Sequence, residues 1–162
     1  MDDGGDAGTE DLSEGNAADS SRVQAVVDWY GQTDFLQLNA ESAGCSGAID
    51  HDASTSAESR LVGCAIQSCS AAARSANPIN YVSGDDPPFL IMHGDKDPLV
   101  PLAQSRELDA LLTKAGVDVK LIVLEGAAHG GPMFQTPDSI NTVRAFFDRT
   151  LKGAERNSIG GQ

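Results

Sequence analysis

No apolar run in this chain of 162 residues approaches the roughly 20 that a helix needs to span a bilayer. Met1 is followed by Asp2, Asp3 and Asp6, without the basic start and apolar stretch of a secretory signal. As written, the chain is expected in the cytoplasm, although a longer relative could be secreted. Basic residues are scarce, 11 Lys and Arg against 24 Asp and Glu, for a net charge of −13. A chain of that sign repels a phosphate backbone, so no nucleic acid is expected as a partner. There are three cysteines, Cys45, Cys64 and Cys69, and the odd count leaves at least one thiol free. Cys64 and Cys69 are close enough to pair across a tight loop in an oxidising compartment. Plain buried or free thiols are the other reading. No metal is expected: zinc lacks a fourth ligand at sensible spacing, and Asp95 with Asp97 lacks the rest of a calcium loop.

What is present divides into segments. Residues 1–21 hold almost no large apolar side chain, and residues 1–20 contain seven acids and no base. Such a stretch cannot bury enough surface to offset its ordering entropy, so an acidic disordered leader is expected over 1–21. Val23-Gln-Ala-Val-Val-Asp28 reads as a strand that Trp29-Tyr30-Gly31 ends. Residues 32–80 are irregular, with short helices expected near 34–39, 57–61 and 69–75. Pro88-Phe-Leu-Ile-Met92 does not alternate and reads as a strand buried on both faces. Pro101 to Ala115 reads as a helix with Leu102, Leu108, Leu111 and Leu112 on its apolar face and Gly116 as its stop. Val119–Leu124 is a third strand. Thr136 and Pro137 open a last helix whose apolar stripe is Ile140, Val143, Phe147 and Leu151, with Gly153 ending it. Residues 154–162 read as a flexible tail.

Strand, loop, strand, helix, strand, helix is the order of a parallel α/β sheet of about three strands flanked by helices. In such sheets ligands bind beyond the carboxyl ends of the strands. The loops at that edge carry Tyr30 and Asp34, then Asp97, then His129. His129 is followed by Gly130 and Gly131, which let a loop turn tightly and approach a ligand. An imidazole there suits general-base work, because its proton affinity lies near neutral pH. A carboxylate from the neighbouring strand end would fix its tautomer and stabilise the imidazolium. Asp97 suits that role better than Asp95, which sits in the turn immediately after the strand. His93 reads as a core or strand-end residue and His51 as a surface loop residue. Tyr30, Asp34 and Gly130 are expected to line the site.

An acid and a base in this order are two members of a Ser-Asp-His triad, whose serine sits on a G-x-S-x-G turn between a strand and a helix. The 162 residues contain no G-x-S-x-G. Gly44-Cys45-Ser46-Gly47 is the nearest imitation, but no buried strand precedes it and Ala48 replaces the second glycine.

Ser21–Phe35, Pro78–Pro101 and Gly126–Gly130 together resemble, in order and spacing, three motifs of the esterase/lipase group of α/β-hydrolases, which includes feruloyl- and acetyl-esterase-like enzymes. The resemblance covers roughly residues 20–152. It implies the C-terminal part of an α/β-hydrolase fold over 22–153, with Asp97 as triad acid and His129 as base. It implies hydrolysis of a small-molecule carboxylic ester through an acyl-enzyme, with no cofactor. Gln32 stands where the family commonly has proline. The nucleophile region has no counterpart here, so the chain is expected to need a serine from elsewhere. The strand at 23–28 is then a bare edge. It could dock a complementing N-terminal half, self-associate, or serve a non-catalytic module. A dienelactone or peptide hydrolase on the same fold is a further reading.

Overall fold

The computed structural model describes residues 22–159. The leader expected over 1–21 and the end of the tail lie outside the described residues. Three strands, β1 (Val26–Trp29), β2 (Phe89–Gly94) and β3 (Val119–Leu124), form one sheet in the order β1-β2-β3. Both pairings are parallel, with Trp29 beside Met92 and Met92 beside Ile122. The helices are α1 (Leu38–Glu41), α2 (Ala57–Val62), α3 (Ser70–Ser75), α4 (Leu102–Ala115) and α5 (Pro137–Ile159).

Central β2 is apolar on both faces because both are covered. Ile91 faces Leu108 and Leu112 of α4, together with Phe89, Val119 and Leu121. Leu90 and Met92 face Phe146 of α5, with Val27, Trp29, Ile122 and Phe134 around them. Each such side chain withdrawn from water stabilises the fold by roughly 1.5–3 kcal/mol. A smaller core of Phe35, Leu38, Ile66, Ala73 and Val100 organises the stretch between β1 and β2. Val100 belongs to the loop after β2, so this core seats that stretch on the same strand ends.

Several boundaries depart from the sequence reading. β1 begins at Val26 rather than Val23, because pairing starts where Val26 N–H donates to Pro88 O (2.9 Å) and Val26 lies beside Phe89. Before Phe89 stands Pro88, which has no N–H to extend a ladder. Pro101 caps α4 in an extended conformation instead of entering its first turn. The buried stripe of α5 runs through Ser139, Phe146 and the half-buried Val143 and Phe147, while Ile140 and Leu151 are exposed. A three-stranded sheet is narrow, and only the middle turns of the helix lie over it. Helix α5 also continues through Gly153 to Ile159. One glycine costs a helix only about 1 kcal/mol, and Ala154, Glu155 and Arg156 favour its continuation.

Candidate active site

Asp97 lies in the turn between β2 and α4 and is 6% exposed. Its Oδ1 accepts the backbone N–H groups of Leu99 (2.8 Å) and Val100 (2.9 Å), the local bonding that makes Asp a turn former. Its Oδ2 accepts Nδ1–H of His129 at 2.8 Å. His93 Nε2 lies 3.2 Å from the same oxygen. That Nε2 also lies 2.9 Å from Val100 O, while Ser105 Oγ lies 2.6 Å from His93 Nδ1. These partners are satisfied by a neutral His93 with its proton on Nε2 and Ser105 donating to Nδ1. Three N–H groups thus donate to one carboxylate and His93 Nε2 lies beside it, which leaves its two oxygens little freedom to rotate. His93 is completely buried at the strand end, as its sequence position suggests.

With Nδ1–H committed to Asp97, His129 carries its lone pair on Nε2, which has no partner among the described residues. Its side chain is 30% exposed. The loop that presents it is tied to the acid loop by backbone bonds. Lys96 N–H donates to Ala127 O (2.9 Å) and Gly126 N–H to Asp95 Oδ1 (2.5 Å). The Gly126 bond, followed by Lys96, holds the Asp95 carboxyl below the usual carboxylate range. Asp95 therefore joins the two loops, and it is Asp97 that faces the imidazole. The loops approach so closely that a Cβ on Gly94 would lie 2.2 Å from Ala127 O.

Tyr30 packs at a tilt beside the imidazole, ring centroids 4.3 Å apart, and meets Phe134 edge-on at 4.8 Å. Its backbone φ of 50° is unusual for a residue with a Cβ and costs of order 1–2 kcal/mol. Tyr30 N–H to Met92 O (3.0 Å) and Gly31 N–H to Asp28 Oδ1 (3.0 Å) hold it there. Burial raises the Asp28 carboxyl above its ordinary range, against the lowering effect of the Gly31 bond. Gly130 has φ +75°, and a Cβ there would sit 3.3 Å from Tyr30 Oη. Tyr30, His129 and Gly130 therefore converge on one spot.

Asp34 is placed elsewhere. Its Oδ1 accepts Asn77 Nδ2–H (2.6 Å) and Leu36 N–H (3.0 Å), and it lines a polar cavity of about 390 Å³ with Gln37, Gln67 and Arg74. Ser46 lies in an exposed loop after α1, with no strand before it. Cys64 and Cys69 form a disulfide between α2 and α3, and Cys45 is free and exposed. No helix among the described residues is long and apolar enough to cross a membrane.

The sequence reading placed His51 on the surface, and the structure corrects this. Its ring is fully buried, with Nδ1 2.9 Å from Glu58 Oε1 and Nε2 2.9 Å from Leu99 O. Gln32 Nε2–H donates to the same Glu58 oxygen. Burial works against the Glu58 carboxylate. The bonds from its own backbone N–H, from His51 and from Gln32 outweigh it and hold the carboxyl below its ordinary range. Glu58 is seven residues from His51, but Leu99 is 48 away and Gln32 lies 26 from Glu58, so local composition carried little signal for the cluster.

Comparison with known proteins finds esterases and peptidases among the chain's relatives. The sequence model of the BD-FAE family matches residues 5–112, a span that includes Asp97 and stops before His129. Esterase LipQ of Mycobacterium tuberculosis is 41% identical over 76 residues, 46% of this chain and 18% of LipQ. An uncharacterised peptidase of Bacillus subtilis, YuxL, is 30% identical over 79 residues, 46% of this chain and 12% of that protein. A solved truncated carbohydrate esterase from gut microbiota superposes with a TM-score of 0.71 at 30% identity. That match covers 82% of this chain and 44% of the esterase. The chain thus spans less than half the length of these relatives. With two-thirds of its residues matched and the parallel sheet in place, the chain belongs to the BD-FAE family of α/β-hydrolase-fold esterases.

Proposed function

We propose that the chain carries the acid and base of a serine hydrolase acting on carboxylic esters, with Asp97 as acid, His129 as base and a serine from outside these 162 residues as nucleophile. The observation that carries this reading is the 2.8 Å bond from His129 Nδ1–H to a carboxylate already fixed by two backbone N–H groups. In this reading His129 Nε2 takes the proton of the serine hydroxyl as its oxygen attacks the ester carbonyl carbon. The imidazolium is stabilised by Asp97 and returns the proton to the departing alcohol oxygen. Water then repeats the sequence on the acyl-enzyme: His129 takes its proton, and the serine oxygen regains one as the acid leaves. Tyr30 and Gly130 form the wall beside the imidazole.

The 162-residue chain is expected to hydrolyse p-nitrophenyl acetate no faster than background. Robust turnover that disappears in His129→Ala would show a nucleophile within the chain and overturn this assignment. A second reading, docking of another chain, draws on β1: it pairs on one side only among the described residues, and its four residues are only half-buried. Its test is co-purification with a segment bearing G-x-S-x-G. Peptide hydrolysis on the same machinery is favoured only by the YuxL similarity.

A further inference from the structure

The turn that presents Asp97 is held by two histidines. Leu99 and Val100 give their N–H groups to Asp97 Oδ1, and their carbonyl oxygens each meet an Nε2. Val100 O meets His93, which comes from β2 itself. Leu99 O meets His51, which comes from the irregular stretch between β1 and β2. The two rings differ in one respect. His93 Nδ1 has a hydroxyl that can donate to it, so one ring proton is sufficient. His51 has an acceptor at each nitrogen: a carboxylate oxygen at Nδ1 and a carbonyl oxygen at Nε2, both at 2.9 Å. No neutral imidazole can donate to both.

We propose that His51 is an imidazolium that positions the acid loop, its two ring N–H groups bridging the Glu58 carboxylate and the Leu99 carbonyl. It thereby couples the segment between β1 and β2 to the turn that holds Asp97 against His129. The charged groups facing the ring are Glu58 of α2 and Asp50 of its own segment, both acidic. From the acid loop, the Leu99 carbonyl meets its Nε2. Asn39 Oδ1 accepts the His51 backbone N–H (2.7 Å), which fixes the ring's approach from α1. Glu58 Oε2 is buried without a partner. Such a cluster is poor as packing, since apolar side chains of the same volume would leave no orphaned oxygen. What the charge adds is direction: it aims Nε2–H at one carbonyl two residues beyond Asp97. The catalytic meaning of this coupling rests on Asp97 and His129 being acid and base, but the coupling itself does not.

The test is nuclear magnetic resonance on the full chain with ¹⁵N-labelled histidine, where only three rings contribute. At pH 7, His51 is expected to show both ring nitrogens protonated and His129 only Nδ1. A bare nitrogen on His51 would overturn the proposal. Glu58→Gln, which removes the counter-charge, is expected to return His51 to a neutral ring. Exchange of the Leu99 and Val100 amides should then quicken by about tenfold, and the His129 Nδ1–H signal should broaden. A neutral His51 with those amides and that signal unchanged would also overturn it. Should Glu58→Gln fail to fold, raising the pH on the native chain until His51 loses its second proton serves instead. The Leu99 and Val100 amides must then gain more than the β2 amide of Ile91, and equal gains would refute the coupling. Should the coupling hold while a completed enzyme turns over independently of His129, the hydrolase reading fails and this inference stands.

Discussion

Gly94→Ala is a small change with a calculable effect. Gly94 ends β2, and the backbone of the histidine loop passes directly over its Cα. A methyl group there would lie 2.2 Å from Ala127 O, 2.6 Å from Ala127 C and 2.6 Å from Ala128 O. Cβ contacts below about 3.0 Å are essentially never tolerated, and here every opposing atom is backbone. The loop must therefore retreat by roughly 0.8 Å, the difference between 3.0 and 2.2 Å. A retreat of that size along the bond would stretch the 2.8 Å Asp97–His129 contact to about 3.6 Å, beyond hydrogen-bond reach. Overpacking of this kind costs about 1–3 kcal/mol. Urea unfolding should show a lowered midpoint with unchanged slope, and the His129 Nδ1–H resonance should move upfield or vanish. In a completed enzyme, a misplacement near 1 Å costs turnover by about 10²-fold. Native stability together with an unmoved His129 signal would refute the claim that the two loops are in contact.

Other outcomes follow from the same contacts. Asp97→Asn in a completed enzyme should lower kcat by about 10⁴-fold, because the amide no longer enforces the Nδ1–H tautomer; steady-state kinetics check this. Reducing the Cys64–Cys69 bond should cost about 2 kcal/mol, given the few residues it encloses. Thermal melts with and without dithiothreitol, with Cys64→Ser/Cys69→Ser as control, measure it. Glu58 is held below its unfolded value, so it stabilises the fold above that unfolded value. That contribution is lost as pH falls through the folded value. Urea midpoints should therefore drop less on acidification in Glu58→Gln than in the native chain. Asp28 is raised, with burial the largest cause, and the sign reverses. Its contribution is fully present below the unfolded value and is lost as pH rises through the folded one. Asp28→Asn, whose Oδ1 can still accept Gly31 N–H, should gain stability relative to native most clearly at neutral pH.

The sheet was legible where burial on two faces or a helix stop leaves a local signature. Phe89–Met92 does not alternate because α4 and α5 cover both sides of β2. Gly116 takes the left-handed conformation expected of a residue ending a helix. Asp97 and His129 were legible as a pair because strand ends of a parallel sheet gather at one edge. The placement of Asp34 was not, since it depends on Asn77, 43 residues away, and that bond turns the carboxylate into a separate cavity. His51 was read as exposed for a similar reason: besides Glu58, seven residues on, it meets a carbonyl 48 residues on. The start of β1 was set by a proline just before the neighbouring strand, which no reading of residues 23–28 alone could weigh.

In the proposed assignment this chain supplies the acid and base of an ester hydrolase and takes its nucleophile from elsewhere. The most direct measurement joins it behind the first half of a relative bearing G-x-S-x-G and follows p-nitrophenyl acetate hydrolysis. Turnover is expected in the joined protein and should fall by at least about 10³-fold in His129→Ala, with none above background in the 162-residue chain alone. Equal turnover in the joined protein and its His129→Ala variant would contradict it.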